Sequence, residues 1–349
     1  MGRGAKATLF CLCLGLLLCF PAQSRTQRRA TRANRAHANR AKIEKPAPAA
    51  LKVEDINNPA NAPALGPEAE RSAIVRAQIL LDRQHFSAGE IDGHYGTNLM
   101  KTIAAYQASH NLPRNPQMGP ETWSALNADN APALVSYTIV AEDVAGPFYQ
   151  IPSDMMEQAK LPSLGYSSPQ EALGERFYCS PKVLQELNPG KALDKPGEQI
   201  LVPNVVVLQS PGPAATVVVS KSDSSVTALD EQGRVLGYYS ATIGSEHDPL
   251  PVGKWKILGL RRNPVFHYNP GLFWDADPKH QKAEIKAGPN NPVGVVWISL
   301  SKEHYGIHGS PEPSRIGHTE SHGCIRMTNW DALELAGMVK PNTPAVLTE

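Results

Sequence analysis

The chain has 349 residues, 41% hydrophobic and 19% charged, with 34 basic against 33 acidic side chains. That length exceeds a usual single domain, so two or three are expected. So even a charge balance argues against a nucleic-acid-binding body, and five cysteines are too few for a disulfide-built scaffold.

Arg3 and Lys6 precede an apolar run, Ala7 to Phe20, and then Pro21-Ala22-Gln23-Ser24. This pattern predicts a signal peptide over residues 1–24, cut after Ser24, because the run is too short to span a bilayer. Leu18 before Cys19 is too bulky for a lipoprotein cut. Cys11, Cys13 and Cys19 would leave with the signal, and the exported chain would keep Cys179 and Cys324. The expected location is the periplasm or cell wall. Residues 25–67 are expected to be a linker. Residues 25–45 hold eight basic residues and Glu44, net +7, with no apolar face, which predicts a solvated arm able to touch the anionic envelope. Residues 46–67 are rich in Ala, Pro and Asn and suit a semi-rigid spacer. From Pro46 on, 24 basic residues face 32 acidic ones, net −8.

Residues 68–130 predict three short helices. Pro67 would sit first in the opening helix, with Glu68 and Glu70 in its first turn and Ile74, Ala77 and Leu81 on one face. Thr97 would cap a second helix carrying Leu99, Ile103 and Tyr106. Pro120 would open a third with Trp123 and Leu126. Residues 135–207 predict strand, two helices, strand. Tyr137 to Val140 is the first strand. Ser168-Pro169 and Ser180-Pro181 are helix starts, and Gln199 to Pro203 is the closing strand. Cys179 reads as a buried free thiol.

From residue 214 the pattern is mainly β. Thr216 to Val219, Ser225 to Leu229, Val235 to Ile243, Lys254 to Leu258, Val295 to Leu300 and Ala345 to Leu347 are strands. Asp230 to Gly233 makes a turn, and one helix runs from Asn329 to Val339 with Thr328 as its cap. Residues 259–294 read as glycine- and proline-rich connections. The fold class is therefore multidomain: a mainly β domain over 214–349 with one or two helices, a small three-helix domain and a small βααβ domain.

Cys324 carries the chemistry. It follows His308 by sixteen positions and His322 by two. An ordinary thiol is only a few per cent thiolate at pH 7 and needs a base, which a histidine supplies. Glycines beside both groups let backbone N–H donors approach a developing oxyanion. A zinc site is the competing reading, but tight ligand spacings such as Cys-x2-Cys are absent from the sequence; no metal and no cofactor is expected. A histidine-rich surface loop is the third reading. His304 reads as structural, His318 as exposed, and Tyr305, Trp255 and Trp297 as core.

Three resemblances refine this. Gln78, Leu81, Gly89, Ile91-Asp92-Gly93, Tyr95-Gly96, Ala105, Gln107, Leu112, Gly119, Thr122-Trp123 and Leu126 resemble the peptidoglycan-binding type 1 domain. Residues 135–207 resemble a LysM module, with a long insertion near 143–166 that such modules lack. Pro251 to Trp255, Gly288 to Gly294, Trp297-Ile298, Ile307-His308-Gly309-Ser310, Gly317 and Ser321-His322-Gly323-Cys324-Ile325-Arg326-Met327 resemble the L,D-transpeptidase (YkuD-like) catalytic domain. That resemblance implies a monomeric peptidoglycan enzyme acting on stem peptides and glycan strands. Cys324 would be the nucleophile and His308 the proton donor and acceptor, held by the Gly309 carbonyl. His322 and Ser321 would shape the site, the Gly323 and Cys324 N–H groups would form the oxyanion hole, and Arg326 would grip a carboxylate. The product would be a 3→3 cross-link. Alternatives are an L,D-carboxypeptidase using water and a non-catalytic wall-binding protein.

Overall fold

A computed structural model describes residues 50–205 and 211–349. The signal peptide and the whole basic arm lie outside the described residues. Residues 50–67 are not a free spacer. They form helix α1 (Val53–Asn57) and a packed strap whose Ile56 and Leu65 are fully buried. Arg76 on the next helix clamps the strap, donating to the Ile56 carbonyl at 2.7 Å.

Helix α2 (Arg71–Asp82) begins four residues later than the proline signal suggests, with Glu70 at its N-cap position and every residue buried. Leu65 N bonds the Gln117 carbonyl instead, so Pro67 belongs to the strap. Strand β1 (Phe86–Ser87), α3 (Thr97–Ser109) and α4 (Pro120–Leu126) complete the helical unit. Thr97 is the first residue of α3 and Gly96 occupies the cap position. Leu99, Ile103, Tyr106, Trp123 and Leu126 are buried, as their spacing implied.

Strand β2 (Leu134–Thr138), three residues earlier than expected, leads through a 3-10 turn and α5 (Met155–Gln158) to α6 (Pro169–Arg176), α7 (Pro181–Leu187) and β3 (Gln199–Pro203). Ser168 and Ser180 accept from the N–H groups of Glu171 and Val183, the capping their Ser-Pro pairs predict. β2 and β3 pair antiparallel, giving the expected βααβ order. Its core is not its own, however: Val75, Ile79 and Ile91 of the helical unit pack with Leu173, Val183, Leu184 and buried Cys179.

The β domain comprises β4 (Thr216–Ser220), β5 (Ser225–Leu229), β6 (Val235–Ser240), β7 (Thr242–Ile243), β8 (Gly253–Arg262), β9 (Phe266–Tyr268), β10 (Ala283–Ile285), β11 (Val296–Leu300), β12 (Gly306–His308), β13 (Ile325–Arg326), α8 (Asn329–Met338) and β14 (Pro344–Thr348). The strand order is β1-β6-β5-β4-β14-β8-β11-β12-β13-β7. The predicted Val235 to Ile243 strand is broken at Ala241, and the chain crosses there from β5's side to β13's side. Long β8 makes the second crossing, pairing with β14 through Gly253 to Lys256 and with β11 through Ile257 to Arg262. The sheet therefore folds over a core that includes Val217, Val219, Ile298, Ile307 and Ile325 with Leu335 of α8.

β6 is shared between two cores. Successive strand residues face opposite ways, so Tyr239 enters the β-domain core while Tyr238 stacks on Phe86 of the helical unit. β1 pairs parallel to β6, covering what would otherwise be an open sheet edge. Carboxyl groups are buried at this seam. Ser87 donates to Asp331 at 3.0 Å, His85 pairs with Glu334, and Asp82 lies beside them. Burial pushes the Asp331 carboxyl up to about 8. Its folded-state affinity for a proton thus exceeds that of the unfolded chain, so its stabilising contribution is full below about pH 4 and is lost as pH rises toward 8. We expect the melting temperature to fall by a few degrees between pH 6.5 and 8.5 in calorimetry, and the permanently neutral Asp331→Asn variant to flatten that slope.

Candidate active site

Strand register gathers the site. Ile307 pairs with Ile325 and His308 with Arg326 across parallel β12 and β13. Both isoleucines are fully buried, so the alternation turns Gly306, His308, Cys324 and Arg326 to the opposite face. On the other flank Trp297 pairs with His308, and its ring stacks on the imidazole at 5.3 Å and 18°. Trp297 is therefore a wall of the site rather than core. Gly306 makes room for it: a Cβ there would lie 2.5 Å from the indole.

His308 is buried, and its Nδ1 lies 2.7 Å from the Gly309 carbonyl. A carbonyl only accepts, so Nδ1 carries the proton and Nε2 keeps its lone pair. Burial, and then the positive charge of Arg326, push the imidazole down to about 3. It rests neutral, with the lone pair on Nε2 free to accept a proton. Gly309 is held in turn by Asn329: its N–H donates to the Val296 carbonyl, and a Cβ on it would meet the Asn329 side chain at 2.2 Å. Asn329 also accepts from Val295 N and donates to Glu175 of α6 and to the Pro289 carbonyl.

Cys324 is partly exposed. Atoms packed around the sulfur strip its water and push the thiol above its ordinary range, against a Gly306 N–H bond and the Arg326 charge, which lower it. The thiol also points to the His304 carbonyl at 3.7 Å. His304 meets the thiol through its backbone, at φ +65°, while its exposed ring lies 3.5 Å from Glu303. The Ser321 hydroxyl donates to the Cys324 carbonyl at 2.6 Å and closes the turn. Gly323, at φ +91°, lies against the Tyr305 ring, where a Cβ would come within 2.8 Å. Tyr305 is thus the floor of this turn. The N–H groups of Gly323 and Cys324 have no partner among the described residues. The Arg326 guanidinium, partly buried beside the thiol, likewise makes no hydrogen bond or ion pair among them.

His322 meets a wall that spacing did not reveal. Its Nε2 lies 2.8 Å from Asp275 Oδ1, and the Phe273 ring is edge-on to it at 5.1 Å. This wall hangs from the β9–β10 hairpin, which the 143–166 insertion buttresses: Asp154 bonds His280 Nε2 at 2.9 Å, and His280 Nδ1 bonds Tyr268. His318 is exposed, as its polar loop implied. No group of His, Cys, Asp and Glu able to hold a metal occurs among the described residues.

Two family models match: the YkuD L,D-transpeptidase catalytic domain over residues 214–347 and a peptidoglycan-binding domain over 70–126. A Bacillus subtilis protein named for the YkuD L,D-transpeptidase is 30% identical over 168 residues, 48% of this chain and 85% of that protein. The chain belongs to the YkuD family of L,D-transpeptidases. Its namesake in Bacillus licheniformis is 29% identical over 180 residues, 51% of this chain and 92% of that protein. Among solved structures, an L,D-transpeptidase of Xylanimonas cellulosilytica aligns with TM-score 0.33 and 17% identity, over 87% of this chain and 100% of that one. The chain is an acyltransferase of the peptidoglycan L,D-transpeptidase class. Neither of these two models extends over the βααβ unit.

Two outcomes follow from this geometry. Gly306→Ala should displace Trp297 from His308. We expect a melting point a few degrees lower, from about 1–3 kcal/mol of overpacking, and slower acylation measured by intact mass. With a neutral imidazole and a neutral thiol at rest, acylation should be flat from pH 5 to 8. Iodoacetamide labelling of Cys324 should keep rising beyond pH 9; a plateau near neutrality would contradict the neutral pair.

Proposed function

We propose that Cys324 is the nucleophile that attacks the bond between diaminopimelate and D-alanine in a stem tetrapeptide, with His308 as the proton carrier. The observation that carries this is the shared outward face of β12 and β13, with a lone-pair nitrogen on His308 fixed by the Gly309 carbonyl. As the sulfur attacks the carbonyl carbon, His308 Nε2 takes the thiol proton and then delivers it to the departing amine. The unpartnered N–H groups of Gly323 and Cys324 suit the oxyanion. The free, planar Arg326 guanidinium suits the terminal carboxylate of D-alanine. Ser321 holds the turn and His322 lines it. The thioester then passes to an amine of a second stem, giving the 3→3 cross-link.

The remaining organisation belongs to the same reading. Export past a signal peptide over 1–24, a basic 25–45 arm on the anionic envelope, wall binding by 68–130 and glycan contact by a LysM-like 135–207 unit are consistent with one wall-bound monomer. The βααβ order supports the last of these, and the buttressing insertion distinguishes it from a free module.

Intact-mass analysis after a carbapenem should show one adduct that Cys324→Ala abolishes. Purified tetrapeptide muropeptides should yield D-alanine and a cross-linked dimer. Tripeptide with no dimer would make the chain an L,D-carboxypeptidase. Undiminished turnover by Cys324→Ala would remove the nucleophile assignment.

A further inference from the structure

Transfer requires the thioester to choose an amine over the far more abundant water. The leaving D-alanine and an incoming D-centred amino group share a shape: each is an amine nitrogen and a carboxylate on one carbon. They differ in charge. In the donor that nitrogen is a neutral amide, whereas the acceptor arrives as an ammonium. A site favouring aminolysis therefore needs an anion that matters only to the acceptor, placed across from the carboxylate-gripping cation.

Asp275 is the carboxylate bonded to the turn that carries Cys324. One oxygen accepts from His322 Nε2 at 2.8 Å, and the second makes no bond among the described residues. Its side chain is 48% exposed, so it can be reached from solvent. His322 stands two residues before Cys324 in the same turn, so Asp275 borders the turn that carries the thiol, and its negative charge acts on Arg326. The other acids near this turn are less suited. Glu312 is engaged with Arg315, and Asp248 has one oxygen buried away from solvent. Phe273 and Trp274, just before Asp275 in the chain, both pack toward the His322 ring.

We propose that Asp275 and Arg326 form an acceptor subsite for a zwitterionic D-amino acid centre, Asp275 receiving its ammonium and Arg326 its carboxylate. The inference rests on the transpeptidase reading and deepens it. In aminolysis the C–N bond forms and the C–S bond breaks. Of the two protons the ammonium sheds, one returns to the Cys324 sulfur through His308 and the other leaves to solvent. Asp275 thus biases the partition of the thioester without entering the bond-making step.

The ratio of aminolysis to hydrolysis isolates this, because both products leave one acyl-enzyme and any change in acylation cancels. The full chain would be given a tetrapeptide donor and D-methionine, with exchanged tetrapeptide and tripeptide resolved by mass. Asp275→Asn keeps an oxygen for His322 but loses the charge, and should lower the ratio about fivefold, the scale of a half-exposed ion pair. Asp275→Glu should restore most of it. With hydroxylamine, uncharged at neutral pH, the Asp275→Asn ratio should match the unsubstituted chain. An unchanged D-methionine ratio, or an equal loss with hydroxylamine, would reduce Asp275 to a support for His322 and overturn the proposal. A chain that releases no D-alanine at all would instead defeat the function on which it rests.

Discussion

One buried amide, Asn329, sets the geometry on which the active site depends. It sits at the first turn of α8, fully enclosed, with its oxygen on Val295 N and its nitrogen shared between Glu175 and the Pro289 carbonyl. Gly294 and Gly309 press so close that a Cβ on either would fall within 2.2 Å of its oxygen. The Gly309 carbonyl is therefore fixed on two sides, and with it the tautomer of His308. Removing the amide would strand a buried N–H and an acid, a loss of about 1–3 kcal/mol each. It would also loosen the packing on Gly309, whose carbonyl bonds His308 Nδ1.

The same contact joins modules. Glu175 comes from the βααβ unit, and burial holds its carboxyl up at about 7. Its partners Asn329 and Tyr166 are neutral, so a protonated or half-protonated acid is tolerated where an unpaired carboxylate would be costly. Two structural routes thus run from the accessory unit to the thiol. One passes through Glu175 and Asn329 to Gly309 and His308. The other passes through Asp154, His280 and the β9–β10 hairpin to the wall at His322.

Much of this was readable from residue order, and the gaps have physical causes. Helix starts marked by Ser-Pro were found because capping is a local bond between neighbours in sequence. Strands such as β4, β5 and β11 are legible because alternation is local too, whereas the second half of β8 and the β9–β10 hairpin fall in the 259–294 stretch that glycine and proline marked as connections. The start of α2 was misplaced because Pro67 serves a strap whose partner, Gln117, is fifty residues away. β12 and β13 are too short to show a period, and only pairing reveals them. Cys324, His308, His322 and Arg326 stood out by their clustering with glycine. Trp297, Tyr305, Asp275 and Asn329 did not, because an aromatic or an amide has the same sequence signature in a core as beside a nucleophile. The 50–67 segment read as a spacer by composition, yet two apolar residues in it, Ile56 and Leu65, suffice to pin it.

Shared cores change what the accessory units contribute to catalysis. Modules on a flexible linker raise local substrate concentration by an amount set by linker length, and leave orientation open. Here β6 gives Tyr238 to the helical core and Tyr239 to the β core, and Cys179 and Ile91 form a bridge between the two accessory units. Reorienting any unit would expose large buried side chains at about 1.5–3 kcal/mol apiece. The peptidoglycan-binding unit and Cys324 are therefore held at one distance and angle by packing far from the thiol, so orientation is fixed along with proximity.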